Sequence, residues 1–305
     1  MQLNNDARWI ARQIERDPAA LIAACEQAFQ QQIDSAVERI LSQPGIRLVM
    51  LAGPSSSGKT TTAERLKQSF AFHGRRAWTL SLDDFYLDPS TPLLFEDGTP
   101  DYETVQALDL PYLETCLRGI VQENRCLLPR FSFVKRQREE ELTELQIASD
   151  DLVIVEGLHA LNPLICDPLD AGSLFRLYVS VSSRVMLDHN VLLSKRDLRF
   201  IRRMVRDNQF RASPVDYTFF LWNGVRKGED RYLFPYSDRA DLRIDSIHLY
   251  EPCVFRNSAL YLLNMLPDDS IYFETAQTLQ KKLSAFPSLE PQLIPQQSLL
   301  HEFLG

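Results

Sequence analysis

The eight residues Gly53-Pro54-Ser55-Ser56-Ser57-Gly58-Lys59-Thr60 limit the fold of this chain more than any other stretch. They fit G-x-x-x-x-G-K-[ST], and their surroundings suit the pattern. An apolar run, Ile46 to Ala52, precedes them, and a helix-compatible segment from Gly58 to about His73, closed by Gly74, follows. Strand, glycine-rich turn and helix in that order make a cradle for phosphate. The glycines let backbone N–H groups turn inward at the positive end of the helix. The spacing assigns Gly53, Ser55, Ser56, Ser57, Gly58, Lys59, Thr60 and Thr61 to that cradle.

A phosphate loop of this kind requires a parallel sheet, and the rest of the chain is patterned for one. Ala77–Leu82, Leu152–Val155, Leu174–Val181 and Asp241–Ser246 read as further strands. Helical patterns around Leu110–Val121, Val185–Leu192 and Arg199–Arg206 lie between them, which predicts an α/β fold with right-handed crossovers. Upstream, Asp17 and Pro18 are the cap and first position of a helix over residues 18–43. Its apolar stripe is Ile22, Cys25, Phe29, Ile33, Val37 and Ile40, and Pro44-Gly45 ends it. The expected organisation is an N-terminal helical extension, 1–45, and a phosphate-loop domain, 46–305. The acidic stretch Glu139–Asp151 reads as a solvated turn.

Composition removes several function classes. With 33 basic against 41 acidic residues the net charge is −8, unsuited to a broadly basic nucleic-acid surface. No run approaches the roughly 20 apolar residues of a membrane span. Five scattered cysteines, without C-x-x-C pairing or metal-ligand spacing, predict reduced thiols, no structural metal and a cytoplasmic setting.

Ligands of open parallel sheets sit beyond the carboxyl ends of the strands. Asp83-Asp84 follows the 77–82 run, and Glu156 follows 152–155. An alcohol that accepts a phosphoryl group needs a carboxylate to take its proton, and Asp83, first after the strand, is the better placed. Lys59 can reach the β- and γ-oxygens of ATP, while Thr60 and Glu156 suit Mg²⁺ and its water shell. From Lys195 to Arg211 the chain carries seven basic and two acidic residues. Arg199, Arg202, Arg203 and Arg206 share a helical face, suited to neutralising phosphate from a lid spanning about 193–212. An RNA-binding stripe would need interleaved exposed aromatics, which are missing.

The blocks "GPSSSGKTTTAERL", "SLDDFYLD", "DYETVQALD", "LPRFSF", "LVIVEGLHALNP", "RFIRRMVRD" and "VRKGEDRYLFPYSDRAD", in that order, resemble the uridine kinase and phosphoribulokinase family of P-loop kinases. The likeness, closest to bacterial uridine kinase-like proteins, covers residues 46 to about 305. It implies a three-layer P-loop NTPase fold with an arginine-rich lid, and transfer of a phosphoryl group from ATP to the 5′-hydroxyl of a nucleoside such as uridine or cytidine. By position it makes Asp83 the catalytic aspartate and Arg199, Arg202 and Arg206 the lid arginines. Tyr86, Tyr102 and Glu103 become acceptor-binding residues. Phe131 and Arg136 stand where eukaryotic relatives read the pyrimidine with tyrosine and histidine. Phe131 can stack but cannot donate a phenolic hydrogen bond, and Arg136 suits an anionic acceptor.

The alternatives are a kinase for another sugar-like or anionic metabolite, as in the phosphoribulokinase and pantothenate kinase branches, or a nucleotide-hydrolysing switch. No N-K-x-D guanine-reading motif supports the switch. The expected partner is a small hydroxyl acceptor, and self-association into a homo-oligomer is left open.

Overall fold

The structure, a computed structural model, describes residues 1–87, 93–98, 101, 103–132, 135 and 137–304. Two helices come first, α1 (Ala7–Arg16) and α2 (Pro18–Leu41). Asp17 caps α2 by accepting the Ala20 N–H, with Pro18 in the first turn, as the sequence predicts. Strand β1 (Leu48–Ala52) runs through the glycine loop into α3 (Lys59–Phe72), then β2 (Ala77–Ser81) and α4 (Leu110–Glu123). Four short strands follow: β3 (Arg125–Leu128), β4 (Phe131–Ser132), β5 (Gln137–Arg138) and β6 (Thr143–Gln146). Beyond them lie β7 (Leu152–Glu156), the helical turn α5 (Pro163–Cys166) and β8 (Leu174–Ser180). The hairpin of β9 (Val185–Leu187) and β10 (Asn190–Leu193) leads to α6 (Lys195–Arg211) and α7 (Val215–Tyr232). The chain continues through β11 (Leu242–Asp245), α8 (Glu251–Asn264), α9 (Phe273–Leu283) and a last turn, α10 (His301–Leu304).

Five strands pair in parallel in the order β11-β8-β1-β7-β2. Central β1 is buried throughout, and strand alternation divides its side chains between two cores. Val49 and Leu51 join the α1, α2, α3 and α8 side, with Ile10, Phe29, Leu66 and Phe255. Leu48, Met50 and Ala52 join the α4 side, with Leu113, Leu117 and Ile120. Helices therefore cover both faces, as near-continuous apolar parallel strands require. Among the described residues no helix is long and apolar enough to cross a membrane. The carboxyl ends of β1, β2 and β7 gather the glycine loop, Asp83-Asp84 and Glu156 at one edge of the sheet.

Two local expectations fail. Residues 185–193 form the β9–β10 hairpin, not a helix. Asp188 and His189 take left-handed φ values of 48° and 66°, a reversal that short polar side chains tolerate, and the flanking apolar residues then pair as strands. The acidic stretch holds β6, which pairs with β3. Leu145 and Ile147 alternate into the α4-side core there, beneath the exposed carboxylates.

Candidate active site

The glycines of the loop are set by close packing. A Cβ on Gly53 would lie 2.2 Å from the Val179 carbonyl oxygen. Gly58 adopts φ +85°, and a Cβ there would meet Leu299 Cδ1 at 2.4 Å, so side chains are excluded on both counts. Among the described residues the buried Ser56 and Ser57 hydroxyls have no hydrogen-bond partner, and Lys59 Nζ rests on the Pro54 carbonyl at 3.2 Å. The loop thus ends at the α3 N-terminus as a ring of small polar groups around a cation. At its rim two carboxylates hold backbone donors. Glu229 Oε1 accepts the Ser55 N–H at 2.8 Å, and Glu302 Oε2 accepts the Thr61 hydroxyl at 2.8 Å and its N–H at 3.3 Å.

A single 3₁₀ turn, Leu82–Phe85, carries Asp83 and Asp84 off the end of β2 and sends them different ways. Asp84 Oδ1 accepts the Phe131 N–H at 3.3 Å, tying it to β4. Asp83 is exposed within the field of Lys59, whereas Asp84 borders the cavity shared with Thr60 and Glu156. The surrounding protein raises the pKa of Asp83 by desolvation, opposed by Lys59 and Arg211 and assisted by Asp84. Glu156, at the end of β7, accepts the Ser81 hydroxyl at 2.8 Å. Desolvation raises its pKa too, against the pull of Lys59 and with the push of Asp83. Glu103 belongs to the same cluster. Burial lifts its pKa to about 7, opposed by Arg203 and Lys59 and reinforced by Glu229 and Asp83. Tyr86 lies within the field of Asp83 and Glu103, and its ring tilts against Phe131 at 5.7 Å. Pairwise electrostatic and ring contacts therefore link Lys59, Asp83, Tyr86, Glu103, Phe131 and Glu156. Tyr102 and Arg136 lie outside the described residues.

The guanidiniums of the arginine helix are held in ion pairs. Arg199 makes a two-pronged pair with Glu229, at 2.6 and 2.8 Å, and donates to the Ser55 carbonyl. Arg202, wholly buried, pairs with Glu251 at 2.6 Å and donates to Ser246 O. Paired in this way, the two guanidiniums tie α6 to α7, α8 and the phosphate loop. Arg206 leans on buried Asp207 at 3.0 Å. Arg203, which sequence position left out of the catalytic set, reaches Ser55 Oγ at 2.9 Å and acts electrostatically on Glu103. Arg203, Arg206 and Arg211 all share Asp207, so α6 also gathers positive charge around one buried carboxylate.

The donors suit a nucleotide and a hard cation. Thr60 stands exposed at the first turn of α3 beside Glu156 and Ser81, an all-oxygen set. Among the described residues no group of three or more His, Cys, Asp or Glu is placed to hold a metal alone.

A phosphate loop on the central strand of this sheet, with carboxylates at the neighbouring strand ends, defines a P-loop phosphotransferase. The model of the phosphoribulokinase / uridine kinase family matches residues 48–250, and the chain belongs to that family; it is a kinase. It is 27% identical to the uridine kinase of Lactobacillus helveticus (strain DPC 4571) over 197 residues, 64% of this chain and 84% of that one. It is 27% identical to the uridine kinase of Clostridium novyi (strain NT) over 200 residues, 65% and 86% of the two chains. Among solved structures, a candidate fructose transport system kinase from Silicibacter sp. TM1040 superposes with a TM-score of 0.50 at 21% identity. That match covers 69% of this chain and 98% of that one, and it bears on the fold alone.

Proposed function

We propose that the protein transfers the γ-phosphoryl group of ATP to a small-molecule hydroxyl, with the 5′-hydroxyl of a nucleoside such as uridine or cytidine as acceptor. The observation that carries this reading is the division between the two aspartates. Asp84 is occupied by the β4 backbone, while Asp83 is exposed within the field of Lys59. Asp83 is thus available to accept the acceptor's hydroxyl proton. Glu103 suits the ribose hydroxyls, since an ionised carboxylate is purely an acceptor. Phe131 and Tyr86 offer faces for a base. Lys59, Arg203 and Arg206 supply the positive charge that a transferring phosphoryl group requires. Thr60, with Glu156 acting through water, would hold Mg²⁺, which would supply neutralising charge for the phosphates. The names of the two relatives called uridine kinase are in keeping with a nucleoside acceptor.

An anionic acceptor is the second reading. Exposed Arg130 and Lys135 stand on the same ribbon as Phe131. One screen separates the two: coupled ADP release with nucleosides and sugar phosphates, against a control without acceptor. Turnover with uridine or cytidine is expected. Turnover with phosphorylated sugars alone would establish the second reading, and ADP release without any acceptor would refute both.

A further inference from the structure

We infer that Glu302 is a built-in competitor for the donor nucleotide: its carboxylate holds a donor group of the phosphate cradle, and nucleotide binding requires that side chain to leave. The inference rests on the kinase reading above. The first N–H groups of a helix have no partner within it, and in a phosphate loop they are offered to the nucleotide. Thr61, in the first turn of α3, gives both N–H and hydroxyl to Glu302 Oε2. A carboxylate is a favourable occupant of that position, and it repels the phosphate that must replace it. The negative charge extends to Glu156, whose pKa Glu302 helps to raise.

The segment bearing Glu302 is firmly seated. Leu299, Leu300 and Phe303 are completely buried. Leu299 packs over Gly58, Phe303 meets Phe255 edge-on, and the Arg202 guanidinium lies over the Phe303 ring at 5.3 Å. The Ser298 hydroxyl is 3.2 Å from Tyr250 OH. With the backbone anchored at these points, displacement falls to the Glu302 side chain. A cavity of about 620 Å³ beside it, bordered by Thr60, Arg65, Gln68, Gln297 and His301, gives the carboxylate room to rotate into. The contact acts as a threshold, so that only a ligand rich in phosphate charge displaces it.

Calorimetric titration of MgATP and MgADP into the full chain, the Glu302→Gln variant and the Glu302→Asp variant tests this. Gln keeps the shape without the charge, and Asp falls short of Thr61 by one methylene. Both variants should bind nucleotide about 3- to 10-fold more tightly, with a lower KM for ATP and an unchanged KM for the acceptor. Thermal melts check that each variant is folded. Unchanged or weaker nucleotide binding in both variants, while the unmodified protein binds, would overturn the inference and leave the kinase reading intact. Absence of nucleotide binding by the unmodified protein would instead overturn the reading on which it rests.

Discussion

Replacing Arg202 and Glu251 together separates a structural arginine from a catalytic one. Both side chains are buried, at 0% and 1% exposure, and they meet at 2.6 Å. Among the described residues Glu251 Oε1 has no hydrogen-bond partner, and Arg202 is the main support of the carboxylate's charge, ahead of His248. Arg202→Ala strands that carboxylate at a cost of about 3–5 kcal/mol. In Arg202→Met with Glu251→Leu the charges vanish together. What remains lost are the donors to Ser246 O, Ser246 Oγ and the Ser56 carbonyl, on the order of 1–3 kcal/mol. The double variant should therefore be more stable than Arg202→Ala by about 2 kcal/mol, read from denaturant midpoints with unchanged slopes. Initial rates then decide the role. A structural Arg202 leaves kcat in the double variant within about tenfold of the unmodified protein, whereas loss of a phosphate-neutralising group costs roughly 10²–10³. A stable double variant with kcat reduced a hundredfold would return Arg202 to the chemistry and refute the argument from burial.

Asp83→Asn should lower kcat by at least about 10² with little change in the KM for ATP, and Asp84→Asn should be milder; the reverse order moves the base to Asp84. Lys59→Ala should cost on the order of 10² in rate without shifting the thermal melt, as expected of a side chain whose described contact is one loop carbonyl. Glu103, lifted from 4.5 to about 7, accepts more strongly from sugar hydroxyls when ionised, so the acceptor KM should fall as pH rises through about 7 and lose that dependence in Glu103→Gln. Because the folded protein holds this proton more tightly than the unfolded chain, Glu103's stabilisation is full below about pH 4.5 and is lost as pH rises through about 7; melts across that range should decline in the unmodified protein more than in Glu103→Gln. Gly228→Ala would place a Cβ 2.2 Å from Glu103 Cβ and should raise the acceptor KM tenfold or more, on the order expected when a contact residue shifts by an ångström, with the ATP KM unchanged.

The central sheet was readable because its strands are short apolar runs beside turn residues, and the phosphate loop because glycine spacing is a backbone requirement. Other features depended on partners far along the chain. Arg199 and Arg202 carry the same charge and periodicity whether they face phosphate or carboxylate, and their partners, Glu229 and Glu251, lie 30 and 49 residues away. Residues 185–193 space their apolar positions ambiguously, and the reversal at Asp188-His189 settles the matter only in three dimensions. Asp83 and Asp84 are adjacent and chemically alike; the 3₁₀ turn beneath them, with β4 alongside, sets them apart. Glu302 could have been noticed as an acid in a short apolar closing segment, but nothing in that segment points to Thr61.

The contact between Tyr250 OH and Glu26, at 2.6 Å, joins positions 224 residues apart, and Ser298 touches the same hydroxyl. This has a consequence in time. A chain made from its amino end exposes the apolar stripe of α2 long before the strand, helix and closing segment that complete its burial exist. Contacts of such separation slow folding, because loop closure precedes their reward, and a half-made chain with an uncovered stripe is prone to association. Synthesis of this protein should therefore be sensitive to holding chaperones and to growth temperature, with insoluble product rising when α2's late partners are weakened rather than when its own stripe is altered conservatively.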